Sequence, residues 1–333
     1  MCTTIVFNTS NGPLMANNED IFLATGMLFS NQRGIAKQAL IFPPEQPLTW
    51  VSRFGSLVFS QCGKEFPSGG MNEAGLVIEQ MTLPETQYPL ADERPVVKEL
   101  QLIQYLLDTC ASVAQALSAL ETVRIAQATG LIHLFLLDNN AHTAIVEFLE
   151  GTTHIYHGES LPVRTLTNST YAASLESLVQ PQQTAANMSG YQSESLRRFR
   201  IAAHWAQSAS SESQETAFQA LSAVARPDTI WQIVYSPCTT TISLKTAWNP
   251  TIRHIRLSQF EFSSIAPARV YDLHTPGEGF VESDFEPYST AKNHELVLSF
   301  FRNETISQIF KLELPDELLA GYAAYPAQMK PVV

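Results

Sequence analysis

Charge is scarce in this chain. Only 16% of its 333 residues are charged, and 20 Lys and Arg stand against 32 Asp and Glu, a formal balance of −12. A nucleic-acid partner needs a basic surface to neutralise phosphates, so this balance argues against one. It argues equally against attraction to an anionic membrane surface. Long apolar runs are missing too. The longest, residues 130–137 (GLIHLFLL), is interrupted by His133 and falls far short of the ~20 residues that span a bilayer. Cysteine is rare: Cys2, Cys62, Cys110 and Cys238 are widely spaced and form no CxxC pair. That spacing excludes a disulfide scaffold and gives no zinc signature. The first 20 residues have neither a basic region nor an apolar core of a signal peptide, so the expected setting is the reduced cytoplasm. No Gly-rich phosphate loop is present, and no cofactor or metal is expected.

What the chain does have is core-forming material. It is 45% hydrophobic and 10% aromatic, which rules out disorder. The β-branched opening CTTIVF reads as a strand, the turn Asn11-Gly12-Pro13 follows, and residues 14–17 form its hairpin partner. Further strands are predicted at 39–42, 55–60, 75–81, 132–138, 143–149, 153–157, 229–235, 239–245 and 253–257. Helical spacing marks 97–110, 112–120, 171–178, 195–207 and 215–224. The polar stretches 180–194 and 208–213 read as loops. Strands, helices, strands and helices follow one another without a regular βαβ alternation. The pattern predicts an α+β fold in which helices cover antiparallel sheets.

Cys2 is the residue with the clearest chemical potential. Met1 is removed when the second side chain is small, which would leave Cys2 with a thiol and a free α-amine. An amine near pKa ~7.7–8.0 is a base at neutral pH, and a thiol near ~8.5 is a nucleophile once ionised. Four other segments could complete a site. Asn17-Asn18-Glu19-Asp20 ends the second strand, where a carboxylate could hold the N-terminus if the hairpin folds back. Gly69-Gly70-Met71-Asn72-Glu73-Ala74-Gly75-Leu76 invites close backbone approach. Asn168, in Leu166-Thr167-Asn168-Ser169, could donate to an oxyanion. Arg197 and Arg198 lie on a predicted helix, where a cation could anchor a carboxylate or favour thiolate. Taken singly, each segment is also an ordinary turn, cap or solvated helix face.

Together, MCTTIV, NNED, GGMNEAGL, TLTNS and SLRRF resemble the choloylglycine hydrolase and penicillin V acylase family of linear-amide hydrolases, which are N-terminal-nucleophile enzymes. These segments span positions 2 to about 200, and residues 231–243 continue the likeness loosely. The resemblance implies a single four-layer αββα domain over residues 1–333 with two antiparallel sheets. It implies that Cys2 is nucleophile and, through its amine, base. Asp20 would orient the N-terminus, Asn168 and the Thr82 backbone N–H would form the oxyanion hole, and Arg198, with Arg197 as fallback, would be the helix arginine. Relatives that act on bile salts or penicillin V carry arginine where Asn17 stands, so the substrate is less defined than the reaction. Phe22, Leu23, Met27, Met81 and Leu83, with Asn17, are the candidate substrate contacts. The implied partner is a small N-acyl amide of bile-salt, penicillin V or acyl-homoserine-lactone type. Family members form homo-oligomers, so a dimer or tetramer is compatible.

Two rival readings stay open at this point. A Cys–His hydrolase would use Cys62, Cys110 or Cys238 with one of eight histidines. A non-catalytic binding protein on the same fold would account for Asn17. A metal site through His154 and His157 is disfavoured, because the two would face opposite sides of a strand.

Overall fold

In a computed structural model, β1 (Cys2–Thr9) and β2 (Gly12–Asp20) form an antiparallel hairpin with Cys2 opposite Glu19 and Thr4 opposite Asn17. Residues 1–21, 25–180, 189–208, 213–311 and 313–332 are described. The hairpin turns at Gly12, whose φ of +106° favours glycine, and a Cβ there would meet the Cys238 sulfur at 2.5 Å. Strand alternation sorts the hairpin's side chains. Cys2, Val6 and Met15 belong to one core cluster, whereas Ile5, Phe7, Leu14 and Ala16 belong to another.

The hairpin is the centre of a seven-stranded sheet. Its order is Thr165–Leu166, β1, β2, Thr229–Ser236, Thr241–Thr246, Arg253–Arg256 and Gly279–Phe280. A nine-stranded sheet faces it, with Ile132–Leu137, Val77–Thr82, Gly69–Asn72, Ser56–Ser60 and β3 (Met27–Asn31) in its middle. The layer between the sheets is filled from both sides, by Val6, Met15 and Ile233 against Phe59, Met81 and Phe135. Helices Gly190–Ser208 and Gln214–Ala223 cover the outer face of the first sheet through Ala202, Phe218 and Leu221. Helices Glu99–Thr109 and Val113–Leu120 cover the outer face of the second through Ile103, Leu106 and Val113. Each such Leu, Ile or Phe contributes about 1.5–3 kcal/mol by burial. The result is the expected αββα sandwich. The nine-stranded sheet is antiparallel throughout. In the seven-stranded sheet the edge pair Arg253–Arg256 and Gly279–Phe280 is parallel.

Some local expectations change. Residues 39–42 are not a strand; the strand is Ile35–Gln38. The Leu40 and Phe42 N–H groups donate instead to the Gln101 and Gln127 side chains, and a Pro43-Pro44 pair follows. The helix expected from Ser195 begins at Gly190, with the Ser189 hydroxyl accepting from Gln192 N–H as an N-cap. Residues 190–194 are therefore helix rather than loop, while 181–188 lie outside the described residues. Among the described residues no helix is long and apolar enough to cross a membrane.

Candidate active site

Cys2 begins β1, and the chain here carries Met1 ahead of it. The ladder runs on past Cys2. The Met1 amine donates to the Asp20 carbonyl at 2.6 Å, and Asp20 N–H donates to the Met1 carbonyl at 2.8 Å. The Cys2 backbone nitrogen donates to Asn168 Oδ1 at 2.8 Å. The thiol points into the layer between the sheets, where it is 3% exposed. Its neighbour there is Glu19, whose Oε2 lies 3.6 Å from Sγ. Burial pushes the thiol well above its ordinary range; Glu19 and Asp20 add to this and the N-terminal ammonium opposes it. Burial likewise pushes the Glu19 carboxyl up to about 7.

Asp20 points the other way, toward the helices. Its Oδ1 accepts from the Thr229 hydroxyl at 2.5 Å, and its Oδ2 lies 3.8 Å from Arg198 and 4.0 Å from Arg226. Burial raises its carboxyl to about 6, against the pull of Thr229 and Arg198. Asp20 Oδ2 has no hydrogen-bond partner among the described residues.

Arg198 is fully buried. Its guanidinium donates to the Cys2 carbonyl (2.5 Å), the Thr3 hydroxyl (2.5 Å) and Asn168 Oδ1 (2.9 Å). It therefore grips the start of β1 from the helix side. It lies across the sheet from the thiol, because Thr3 and Asp20 project to the opposite face from Cys2. Arg197 is exposed and pairs with Glu194 at 2.8 Å.

Asn168 is the hub. Its Oδ1 accepts from Cys2 N–H and Arg198, and its Nδ2 donates to the Thr82 carbonyl at 2.9 Å. Nδ2 carries a second hydrogen besides the one given to Thr82. Thr82 is exposed at the end of its strand. Leu83 N–H donates to the Leu131 carbonyl, so the neighbouring pair Thr82–Ile132 falls in the position where N–H groups turn away from each other. The Thr82 N–H thus points away from Ile132.

The proposed substrate contacts divide. Met81 is buried in the inter-sheet cluster, with the Thr4 hydroxyl 3.4 Å from its sulfur, and Leu83 is buried as well. Met27 is not at the site: it packs against the helix-side cluster of the second sheet, since Leu28 takes the inter-sheet side. Asn17 faces the inner layer, but its amide is taken. Oδ1 accepts from Thr4 at 2.8 Å and Nδ2 donates to Glu79 at 3.2 Å. Phe22 and Leu23 lie outside the described residues.

Three groups near Cys2 were not anticipated. Glu19 lay inside the NNED motif, and the hairpin register alone places it across from Cys2. Arg226, in the turn before Thr229–Ser236, bonds Asp228 at 2.8 Å and approaches Asp20; nothing in its local sequence marks it. His133 and Glu147 are both fully buried, 3.1 Å apart, and His133 Nε2 lies 2.7 Å from the Thr167 carbonyl. A carbonyl only accepts, so Nε2 carries a proton and braces the residue before Asn168. The internal cysteines have other surroundings. Cys62 bonds the Phe66 carbonyl, and burial pushes its thiol up to about 12; Cys110 contacts Thr109. Cys238 is exposed and donates to the Asn139 carbonyl.

A sandwich of two antiparallel sheets with a cysteine at the start of a central strand is the fold of N-terminal-nucleophile hydrolases. The sequence model of the acyl-coenzyme A:6-aminopenicillanic acid acyl-transferase family matches residues 7–253, and the chain belongs to that family. The penicillin V acylase of Pectobacterium atrosepticum is 28% identical over 134 residues, 35% of this chain. The match covers about a third of that protein, 36% of its length. The structure of penicillin V acylase from Agrobacterium tumefaciens is 22% identical and superposes with a TM-score of 0.69 over 87% of this chain and 98% of its own. The C2A mutant of conjugated bile acid hydrolase from Clostridium perfringens is 15% identical, with a TM-score of 0.67 over 84% of this chain and 98% of its own. These likenesses place the fold with the choloylglycine hydrolase and penicillin V acylase group.

Proposed function

We propose that this chain hydrolyses a linear carboxamide of a small N-acyl compound, with Cys2 as the nucleophile once Met1 has been removed. The observation that carries this reading is the Cys2 nitrogen, 2.8 Å from Asn168 Oδ1 and backed by Arg198 and Asp20. Loss of Met1 turns that amide nitrogen into an α-amine beside its own thiol. The amine takes the thiol proton and the sulfur attacks the amide carbonyl. The free Nδ2 hydrogen of Asn168 and the Thr82 N–H stabilise the oxyanion, each worth about 2.7–4 kcal/mol. The C–N bond breaks, the amine passes the proton to the leaving nitrogen, and a thioester remains. Water, deprotonated by the same amine, cleaves the thioester and frees the acid and the thiol. Asp20, with one carboxylate oxygen that accepts no hydrogen bond among the described residues, orients the new N-terminus.

The family's description names an acyl transfer, and the same thioester would serve an amine acceptor in place of water. The proposed setting is the cytoplasm, where four unpaired thiols stay reduced. The test begins with the intact mass of the mature protein, which should lack Met1. A panel of bile-salt, penicillin V and acyl-homoserine-lactone amides, with and without added amine, is then run on wild type and Cys2→Ala. Turnover by wild type and none by the folded variant is expected. Near-normal turnover by Cys2→Ala would remove Cys2 from the mechanism.

A further inference from the structure

Glu19 has no role in the mechanism above, yet its carboxylate lies against the Cys2 thiol, 3.6 Å away. Its position follows from the hairpin: Cys2 and Glu19 are register partners, so their side chains leave the sheet on the same face, next to each other. The carboxylate is 5% exposed, and among the described residues its hydrogen-bond contact is the Cys2 thiol. The arginines of the site lie on the other face of the sheet, held by Asp20, Asp228 and Glu194. On Glu19's own face, the next polar side chains along the hairpin are neutral Asn17 and Thr4, and beyond them stands another carboxyl, Glu79, bonded to Tyr235. Among the described residues Glu19 thus has no cationic side chain facing it; the cation within its electrostatic reach is the N-terminal ammonium.

The surroundings lean the same way. Glu85 lies just past Thr82, and its Oε2 has no partner among the described residues; nor does the Tyr191 phenol on the first turn of the helix. Tyr191 lies within electrostatic reach of both Cys2 and Glu85. Of the carboxylates near the nucleophile, Asp20, Glu194 and Asp228 have arginines, whereas Glu19 and Glu85 do not.

A substrate cannot avoid Glu19. Attack requires the carbonyl carbon at about 3–3.5 Å from sulfur. Atoms one or two bonds from that carbon then come within several ångströms of the carboxylate. A cation there would be stabilised and an anion repelled, in a layer largely shielded from water.

Building on the hydrolase reading, we propose that Glu19 sets substrate specificity, and that the enzyme takes N-acyl compounds bearing an ammonium or similar cationic group within about four bonds of the scissile carbonyl carbon. Compounds with a carboxylate or sulfonate at that place are disfavoured. Burial raises the free Glu19 carboxyl to about 7, so a bound cation would also draw it into its ionised form.

Two matched sets of amides test this on the Met1-free enzyme. Hexanoyl amides of 1,2-diaminoethane, propylamine and β-alanine vary the amine side. The 4-aminobutanoyl, pentanoyl and succinyl amides of p-nitroaniline vary the acyl side. In at least one set wild type should favour the cationic member over the anionic one by about tenfold or more in kcat/KM. Glu19→Gln, with nearly the same shape, should bring that ratio close to one, and Glu19→Leu should do the same. A wild-type preference for the anionic members in both sets would overturn the proposal. So would variants that slow every member equally, which would mean that Glu19 positions the α-amine instead. If wild type turns over no amide, the hydrolase reading fails on its own account. Calorimetric binding of the same pairs to Cys2→Ala, with and without Glu19→Gln, still decides the role of Glu19: a cation preference lost on substitution supports it, and equal binding overturns it.

Discussion

Replacing Arg198 with Met should loosen the start of β1 and disable the site in one step. The guanidinium is fully buried and bonds the Cys2 carbonyl, the Thr3 hydroxyl and Asn168 Oδ1, with Asp20 Oδ2 3.8 Å away. Met has a similar length and no donor. The variant leaves Asp20 as a buried carboxyl without that cation and leaves a buried backbone carbonyl short of a partner. Breaking a buried pair by removing one member costs about 3–5 kcal/mol. A chain of 333 residues has an unfolding entropy of about 0.7 kcal/mol/K, so the loss corresponds to about 4–7 °C in Tm. Turnover should fall by about ten- to a hundredfold, because Asn168 Oδ1 keeps only the Cys2 nitrogen to orient its amide. The pH dependence has a definite sign. Asp20 is raised from 3.8 to about 6 in the folded protein. The native state therefore holds this proton more tightly, and stability falls as pH rises from about 4 through 6. Arg198 opposes that shift, so in the variant the fall should extend to higher pH. Urea denaturation from pH 4 to 8, with kcat on the best amide of the panel, reads all three effects. Arg198→Lys keeps a charge but cannot bridge the Cys2 carbonyl and Asn168 at once, so it should recover more stability than turnover. A Met variant within about 1 kcal/mol of wild type at pH 7, with unchanged kcat, would refute the assignment.

Asn168→Ala removes both the oxyanion donor and the acceptor of the Cys2 nitrogen, and kcat should drop by about two to three orders of magnitude; an unchanged rate takes Asn168 out of the site. Glu19→Gln should stabilise the fold at pH 8 by up to about 3 kcal/mol. The native carboxyl is raised from 4.5 to about 7, so its ionisation costs stability as pH rises through that window. At pH 4 the variant should gain nothing, and a loss of Tm at pH 8 would show that Glu19 is paired. His133→Gln should lower kcat more than it changes KM, because His133 braces Thr167 and is itself fully buried. Equal effects on a substrate-free stability measurement and no effect on kcat would reduce it to packing.

The parts of the site that were legible in the sequence are the local ones. The CTTIVF strand, its Asn-Gly turn and the NNED strand lie within twenty residues, and a hairpin's register follows from its turn. Asn168 and Arg198 were singled out from motif likeness; in the structure Asn168 Oδ1 accepts from the Cys2 nitrogen and Arg198 donates to the Cys2 carbonyl. The misses have a common cause. Met27 was expected at the pocket because β3, a strand of five residues without turn signals, went unread; once it is a strand, alternation turns Met27 outward. Residues 39–42 had strand-like composition, but Gln101 and Gln127 satisfy their backbone from distant positions. Arg226 and the His133–Glu147 pair are ordinary residues in sequence and become part of the site by packing.

By itself the sequence determined the fold class and the identity of the strand that carries Cys2, because short-range pattern and turn chemistry govern those. Only the tertiary structure decided which face each group uses. It set the thiol and Glu19 in the inter-sheet layer and Asp20 and the arginines on the helix side, and it brought Asn168 across 166 residues to the Cys2 nitrogen. Those placements depend on how two sheets and two helix layers stack, and stacking is fixed by the joint burial of surfaces that no local segment contains.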